Sequence, residues 1–364
     1  MDPRVLEAML PYFTDVFGNP ASSSHQWGWK AQEAVEAARR EVADLIGSTA
    51  REIVFTSGAS ESNNFAIQGA ADRVSSSRRH IVVSAIDHQS VLESSARLEA
   101  CGWRRTVVPV HPDGLVNLDE LRAAVTDETA LVSVIAANNE IGVIQPLAEV
   151  SGIAHARGAL VHTDAAQAVG KIPIDVGTLG VDLLSLTAYK MYGPKGCGAI
   201  YIRKHTDLAP LVIGGGQERG LRSGTLNVPG IVGLGKACAI CRAEMASEGR
   251  RLAELRDRLI EGLRSRLDGV SVNGSLTHRL PHNLHVSFAD VDSESLLVSI
   301  GDVAVSSGSA CASASGTPSH VLAAILGDDV PSACIRFGLG RFTTPEHIEY
   351  TIDKFATVVQ HLRQ

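Results

Sequence analysis

No stretch of this chain approaches the roughly 20 consecutive apolar residues that a membrane-spanning helix requires, so a transmembrane reading and a membrane partner are set aside. The amino terminus, Met1-Asp2-Pro3-Arg4, lacks the apolar core of a signal peptide, and a cytoplasmic location is the expectation. Positive charge is not in excess. The formal net charge is -7, which offers no broad basic face and argues against direct nucleic-acid binding. Cysteine is sparse, with six in 364 residues, too few for a disulfide scaffold. Cys238 and Cys241 form a C-x-x-C inside the apolar run 233–246. Further ligands at metal spacing do not stand nearby, so the pair reads as two small residues on one helix face, and no metal site is expected. Cys101, Cys197 and Cys334 read as packing residues. No internal repeat of solenoid period is present.

Hydrophobic residues make up 45% of the chain and charged residues 20%, an ordinary globular balance. The length suffices for one large core and a smaller second unit. Short runs rich in Val and Ile at 53–56, 81–84, 131–136, 160–163, 183–185 and 199–202 predict strands. Periodic segments at 30–46, 118–125 and 147–157 predict helices between them, with Val35, Val42, Leu45 and Ile46 on one face of the first. Continuous apolar strands alternating with helices imply a mostly parallel sheet covered on both faces. The character changes near Met245. A charged helix over 247–267, a strand near 285–288 and a closing helix over 345–362 imply a smaller α+β unit. The charged face around Arg250–Arg258 reads as solvated, and the Ser/Gly/Ala-rich stretch 306–316 as a loop.

Candidate chemistry begins with Asp164, which ends one strand, and Lys190, which follows the next. Open α/β sheets bind ligands at the carboxyl ends of their strands. An amine and a carboxylate there suit pyridoxal phosphate (PLP), which needs a lysine for its Schiff base and an acidic partner for its pyridine nitrogen. A capping Asp and a surface Lys would leave the same trace. The run Phe55-Thr56-Ser57-Gly58-Ala59-Ser60-Glu61-Ser62-Asn63 passes from strand to helix. Its small residues would let backbone N–H groups meet an anion at a helix N-terminus, although a plain Ser-capped turn reads the same way. Cys311 lies between residues too small and polar to build a core around it.

Longer motifs are more specific. They are Asn138-Asn139-Glu140-Ile141-Gly142, Tyr189-Lys190-Met191-Tyr192-Gly193-Pro194-Lys195-Gly196, Gly214-Gly215-Gly216-Gln217-Glu218-Arg219-Gly220-Leu221-Arg222-Ser223-Gly224-Thr225, and Ser306-Ser307-Gly308-Ser309-Ala310-Cys311-Ala312-Ser313. Through them the chain resembles the cysteine desulfurases of the iron–sulfur-cluster and nitrogen-fixation type, in the class V aminotransferase group of fold-type I PLP enzymes. The resemblance runs from Asp2-Pro3-Arg4-Val5 to Gly340-Arg341-Phe342-Thr343-Thr344. It implies an α/β fold with a large PLP-binding domain over residues 14–245, built on a mostly parallel seven-stranded sheet between helices. It also implies a smaller α+β domain from 1–13 and 246–364 that carries the cysteine loop.

By resemblance, Lys190 holds the cofactor as a Schiff base, Asp164 pairs with the pyridine nitrogen and Gln167 with the phenolic oxygen. His88 stacks on the ring and moves protons, and Asn139 lies near ring and substrate. Ala59, Ser60 and Thr187 hold the phosphate. Thr225 reaches the phosphate of a neighbouring subunit, which implies a homodimer. Arg341 clamps the carboxylate of L-cysteine, and Cys311 takes its sulfur as a persulfide for a sulfur-acceptor protein. Iron–sulfur clusters, thiolated tRNA or sulfur-modified DNA are the implied destinations. The chain departs from the family pattern at Tyr189, where a His that contacts the phosphate is common, and at Ser60, where Thr is usual. The family's strand and Thr-rich turn before Asp2-Pro3-Arg4, a wall of its site, and its longer carboxyl tail are not in this sequence. A selenocysteine lyase, another class V activity such as an aminotransferase, and an inactive partner-binding homologue are the alternatives.

Overall fold

The computed structural model describes residues 1–74, 77–307, 319–327, 331 and 333–364. The backbone falls into two compact units. Met1–Val108, Asn117–Ala136 and Pro146–Met245 form the first, and Pro109–Val116, Ala137–Gln145 and Ala246–Gln364 the second.

The first unit contains seven strands: β1 (Ile53–Thr56), β2 (His80–Ser84), β3 (Arg104–Val108), β4 (Thr129–Ser133), β5 (Leu160–Asp164), β6 (Leu183–Thr187) and β7 (Gly198–Ile202). They form one sheet in the order β1-β7-β6-β5-β4-β2-β3. From β3 to β6 every pairing is parallel, while β7 runs antiparallel to both β6 and β1. The residues of β1, β2, β4, β6 and β7 are buried throughout, as expected where helices cover both faces. The edge strand β3, Arg-Arg-Thr-Val-Val, is exposed along much of its length, and its polar sequence gave no strand signal. The helix Gln26–Ile46 buries Ala31, Val35, Ala38, Val42, Leu45 and Ile46, and Gly47 ends it with φ 70°, a conformation that glycine adopts without a Cβ penalty.

Residues 1–13 fall in the first unit rather than the second. Val5 and Met9 of the helix Pro3–Met9 are buried, Asp2 N donates to Tyr192 O at 2.9 Å, and Arg4 is paired with Glu244. A Cβ on Gly233 would come within 2.6 Å of Met9 Sδ. The apolar run 233–246 and the charged run after it are parts of one helix, Val228–Arg266. Cys238 and Cys241 are both buried in it. Among the described residues, no helix is long and apolar enough to cross a membrane.

The second unit has a three-stranded antiparallel sheet of β8 (Val270–Val272), β9 (Asn283–Phe288) and β10 (Ala333–Gly338), in the order β10-β9-β8. The closing helix Pro345–Leu362 starts with a capping box at Thr344 and buries Ile348, Ile352, Phe355 and Val359. The Phe355 ring lies 5.7 Å from Phe288 and 5.0 Å from Phe337, centroid to centroid. Aromatic contacts of that kind dominate small cores. Phe355→Ala is expected to cost about 3–5 kcal/mol, read as a lowered denaturant midpoint; a loss under about 1 kcal/mol would mean that this cluster is not the core of the unit.

Candidate active site

Asp164 and Lys190 are brought to neighbouring strand ends. Asp164 closes β5 and pairs across the sheet with Ser185 of β6. Lys190 lies three residues past the end of β6, in the short 3-10 helix Ala188–Met191, which Tyr192 ends in a left-handed conformation at φ 63°. The buried Asp164 carboxylate accepts from Asn63 Nδ2 at 2.7 Å and from Ala166 N at 2.9 Å. Charge-assisted bonds of this type are about twice as strong as neutral ones. Lys190 Nζ is 5.0 Å from the centre of the exposed Tyr189 ring. Gln167 is half-buried three residues beyond Asp164.

His88 is joined to Asp164 by a polar chain. Asn63 Nδ2 donates to Ser90 Oγ as well as to Asp164, and Ser90 Oγ lies 2.8 Å from His88 Nδ1. His88 also caps the helix Gln89–Glu99, its Nδ1 accepting from Ser90 N at 3.1 Å. The residue before it, Asp87, is fully buried and accepts from Ser84 N at 2.9 Å and Ile135 N at 2.6 Å. Those bonds tie the turn after β2 to the turn after β4 and so fix where His88 stands. Burial pushes the Asp87 carboxyl well above the usual carboxylate range against those two N–H groups, and the nearby Asp164 charge adds to the effect. Sequence reasoning misses Asn63 as a partner of Asp164, because the two stand 101 residues apart.

The residues expected to meet an anion lie at the start of the helix Ala59–Ala71. Ala59 and Ser60 are its first two residues, and Gly58 precedes it with φ 153°. A Cβ on Gly58 would lie 3.6 Å from Thr187 Oγ1, and one on Gly198 would come within 2.7 Å of Gly58 Cα. Glycine at 198 is therefore what lets this turn approach β7, with the Thr187 hydroxyl beside the helix N-terminus. Two ion pairs then hold the segment that carries Thr225. Arg39 grips Glu218 with both terminal nitrogens at 2.7 Å, and Glu218 also accepts from Phe55 N at 2.8 Å. Arg222 pairs with Glu61 at 2.8 Å. Burial pushes the Glu61 carboxyl up, but Arg222 and the Ser57 N–H outweigh it and hold the group below the usual carboxylate range. Glu218 and Arg219 stand at φ 47° and 59°, strained for residues other than glycine and held there by these bonds. Thr225 itself is exposed.

Asn139 and Arg341 belong to the second unit. The Asn139 carbonyl accepts from Arg336 Nη1 at 2.9 Å. Neighbouring Glu140 is fully buried, and Ser319 Oγ donates to its Oε2 at 2.6 Å. Ser306 pairs with Arg336 through their backbones. The turn after Ala137 thus anchors both Ser306 and Ser319. Cys311 lies outside the described residues. Arg341 Nε donates to Glu248 Oε2 at 2.7 Å.

Two smaller expectations need correction here. Cys101 is exposed rather than packed, because it follows the end of the helix Gln89–Glu99. The charged face at Arg250–Arg258 is more than a solvated surface, since Arg251 donates to the carbonyls of Thr343 and Arg341. His25 is a helix cap whose Nδ1 accepts from Gly28 N at 3.2 Å.

A sequence profile of the class-V aminotransferase family matches residues 1–351. The cysteine desulfurase IscS of Anaeromyxobacter sp. (strain K) is 53% identical over 367 aligned positions, covering 100% of this chain and 91% of that protein. The human cysteine desulfurase is 50% identical, covering 100% of this chain and 80% of its own length. The solved structure of a NifS-like protein superposes with a TM-score of 0.93 at 38% identity, over 100% of this chain and 97% of that one.

Beneath Asp164 the sheet carries a buried histidine. His162 of β5 places Nδ1 2.8 Å from Ser133 Oγ and Nε2 3.0 Å from Ser185 Oγ, and burial lowers its pKa to about 3. A histidine depressed in the folded state stabilises above its unfolded pKa of about 6.5, and that stability is lost as pH falls toward the folded value. His162→Gln should therefore show a shallower loss of stability between pH 6 and 5 than the parent, by about 1 kcal/mol per pH unit, in denaturant titrations across that range. Identical slopes would show that His162 charges in the folded protein.

Proposed function

The chain belongs to the class-V aminotransferase family, and from that premise we propose that it is a cysteine desulfurase, a fold-type I PLP enzyme that removes sulfur from L-cysteine and leaves L-alanine. The observation that carries this reading is the placing of Lys190 and Asp164 at the ends of paired strands, beside a helix N-terminus and the Thr187 hydroxyl. The two relatives named above, each aligned over the whole length of this chain, are themselves called cysteine desulfurases.

The residues present fit PLP. The helix N-terminus and two hydroxyls offer donors to a phosphate, the Asp164 carboxylate offers an acceptor to a pyridinium N–H, and Lys190 offers an amine. When bound, the cofactor supplies an electron sink for bonds at the substrate's alpha carbon. Lys190 would hold it covalently, with Asp164 on the ring nitrogen, Gln167 on the phenolic oxygen and His88 against the ring. Ala59, Ser60, Thr187 and Tyr189 would hold the phosphate, the phenol of Tyr189 serving as a donor. Arg341 would grip the substrate carboxylate, for which a planar two-pronged donor is suited, with Asn139 beside the substrate. Cys311 carries out the transfer. Its thiolate attacks the substrate sulfur, a sulfur–sulfur bond forms, the carbon–sulfur bond breaks, and the carbon gains a proton to become alanine. The persulfide then passes to an acceptor protein.

A homodimer follows from the same reading. Leu6, Leu10, Phe13 and Phe17 near the amino terminus and Leu211, Val212 and Ile213 are exposed, which is the surface chemistry of a subunit interface, and Thr225 is exposed for a neighbouring cofactor.

Cysteine added to the protein should raise its mass by one sulfur, with no gain in Cys311→Ala, which keeps the visible absorption of bound PLP. Lys190→Ala should lose that absorption. Alanine release from Cys311→Ala at the parent rate, with reductant limiting, would remove Cys311 from the nucleophile's place. Turnover of selenocysteine without turnover of cysteine would move the reading to a lyase.

A further inference from the structure

The polar chain behind His88 has a direction of donation that its chemistry dictates. The Ser90 backbone N–H can only donate, and its partner is His88 Nδ1 at 3.1 Å. That nitrogen must therefore present a lone pair. The side chain of Ser90 agrees. Asn63 is fully buried and turns its Nδ2 to Asp164 Oδ2 at 2.7 Å and to Ser90 Oγ at 2.8 Å. A carboxylate oxygen cannot donate, so the amide must face it with its NH2 group. Both amide hydrogens are then spent, one on Asp164 and one on Ser90 Oγ. The hydroxyl already accepts, and its own hydrogen is left for His88 Nδ1 at 2.8 Å. The reversed amide would set its oxygen against the carboxylate. In the orientation described, Asn63 Oδ1 has no hydrogen-bond partner among the described residues, so the two donations from Nδ2 determine which way the amide lies.

We propose that Ser90, backed by Asn63, is a positioning residue that holds His88 with its ring proton on Nε2. The ring then offers a donor at Nε2 and no basic lone pair there. A base role at Nε2 would need the proton moved to Nδ1, which would set N–H against the Ser90 N–H. His88 thus presents an N–H donor at Nε2, and the amide that fixes it also binds Asp164. What Nε2 faces rests on the proposed function; the tautomer does not.

The test is 15N spectroscopy of the full chain with imidazole-labelled histidine, the His88 signals being those absent from His88→Gln. In the parent, Nδ1 should resonate as an unprotonated nitrogen and Nε2 as a protonated one. Ser90→Ala keeps the backbone N–H donor and loses only the hydroxyl, so Nδ1 should stay unprotonated and move further from the protonated position, and Ser90→Thr, which keeps the hydroxyl, should return it. A ring proton on Nδ1 in the parent would overturn the proposal, and so would a Ser90→Ala spectrum that superposes on the parent. Failure of the cofactor reading would register separately, as a missing visible absorption band with the nitrogen shifts unchanged.

Discussion

Parallel pairing of β3, β2, β4, β5 and β6 is the constraint from which the site follows. Strands that run in one direction deliver their carboxyl ends to one edge of the sheet. Asp87 and His88 after β2, Ile135 after β4, Asp164 at the end of β5 and Lys190 after β6 are gathered there although they are far apart along the chain. The antiparallel pairing of β7 with β6 and β1 adds a second kind of placement. It brings Gly198 against Gly58, and with it the start of the helix Ala59–Ala71, to the end of β6 where Thr187 lies.

The edge of a sheet buried on both faces is an expensive place for polar side chains, because an unpartnered buried donor or acceptor costs about 1–3 kcal/mol. The structure meets that cost by linking the groups to each other. His162 bridges hydroxyls on β4 and β6, His80 of β2 does the same between Thr129 and Thr106, and Asn63 joins Asp164 to Ser90. At the carboxyl end of the strands, the bonds that satisfy the buried Asn63 amide also hold Asp164 and, through Ser90, His88. Stability and pre-organisation come from the same contacts.

The pair of Arg39 and Glu218 works in the same way at greater range. Both side chains are buried, and a charge left alone there would cost several kcal/mol. Their two-pronged contact, together with the bond from Phe55 N, pins the glycine-rich segment to β1 and sustains the left-handed backbone at Glu218 and Arg219. In the second unit, Glu140 and Arg336 fasten Ser319, Ser306 and Asn139 to one turn.

Sequence by itself determined part of the strand and helix pattern, because apolar periodicity is local: residues 53–56, 160–163 and 199–202, and the closing helix, while β10 and the helix Gln89–Glu99 escaped it. It also made the candidate residues legible, since Lys190, Asp164 and the small residues at 57–60 stand out in their own motifs. It lost β3, whose Arg-Arg-Thr start suits an edge, and it divided the helix Val228–Arg266 in two because composition changes along a helix that stays continuous. Only the tertiary structure decided the partners. That Asn63 serves Asp164 and Ser90, that Arg39 serves Glu218, and that Glu61 serves Arg222 depends on strand order and on the approach of Gly58 to Gly198. Hydrogen bonds between residues a hundred positions apart leave no periodicity in the chain, so nothing local could have announced them.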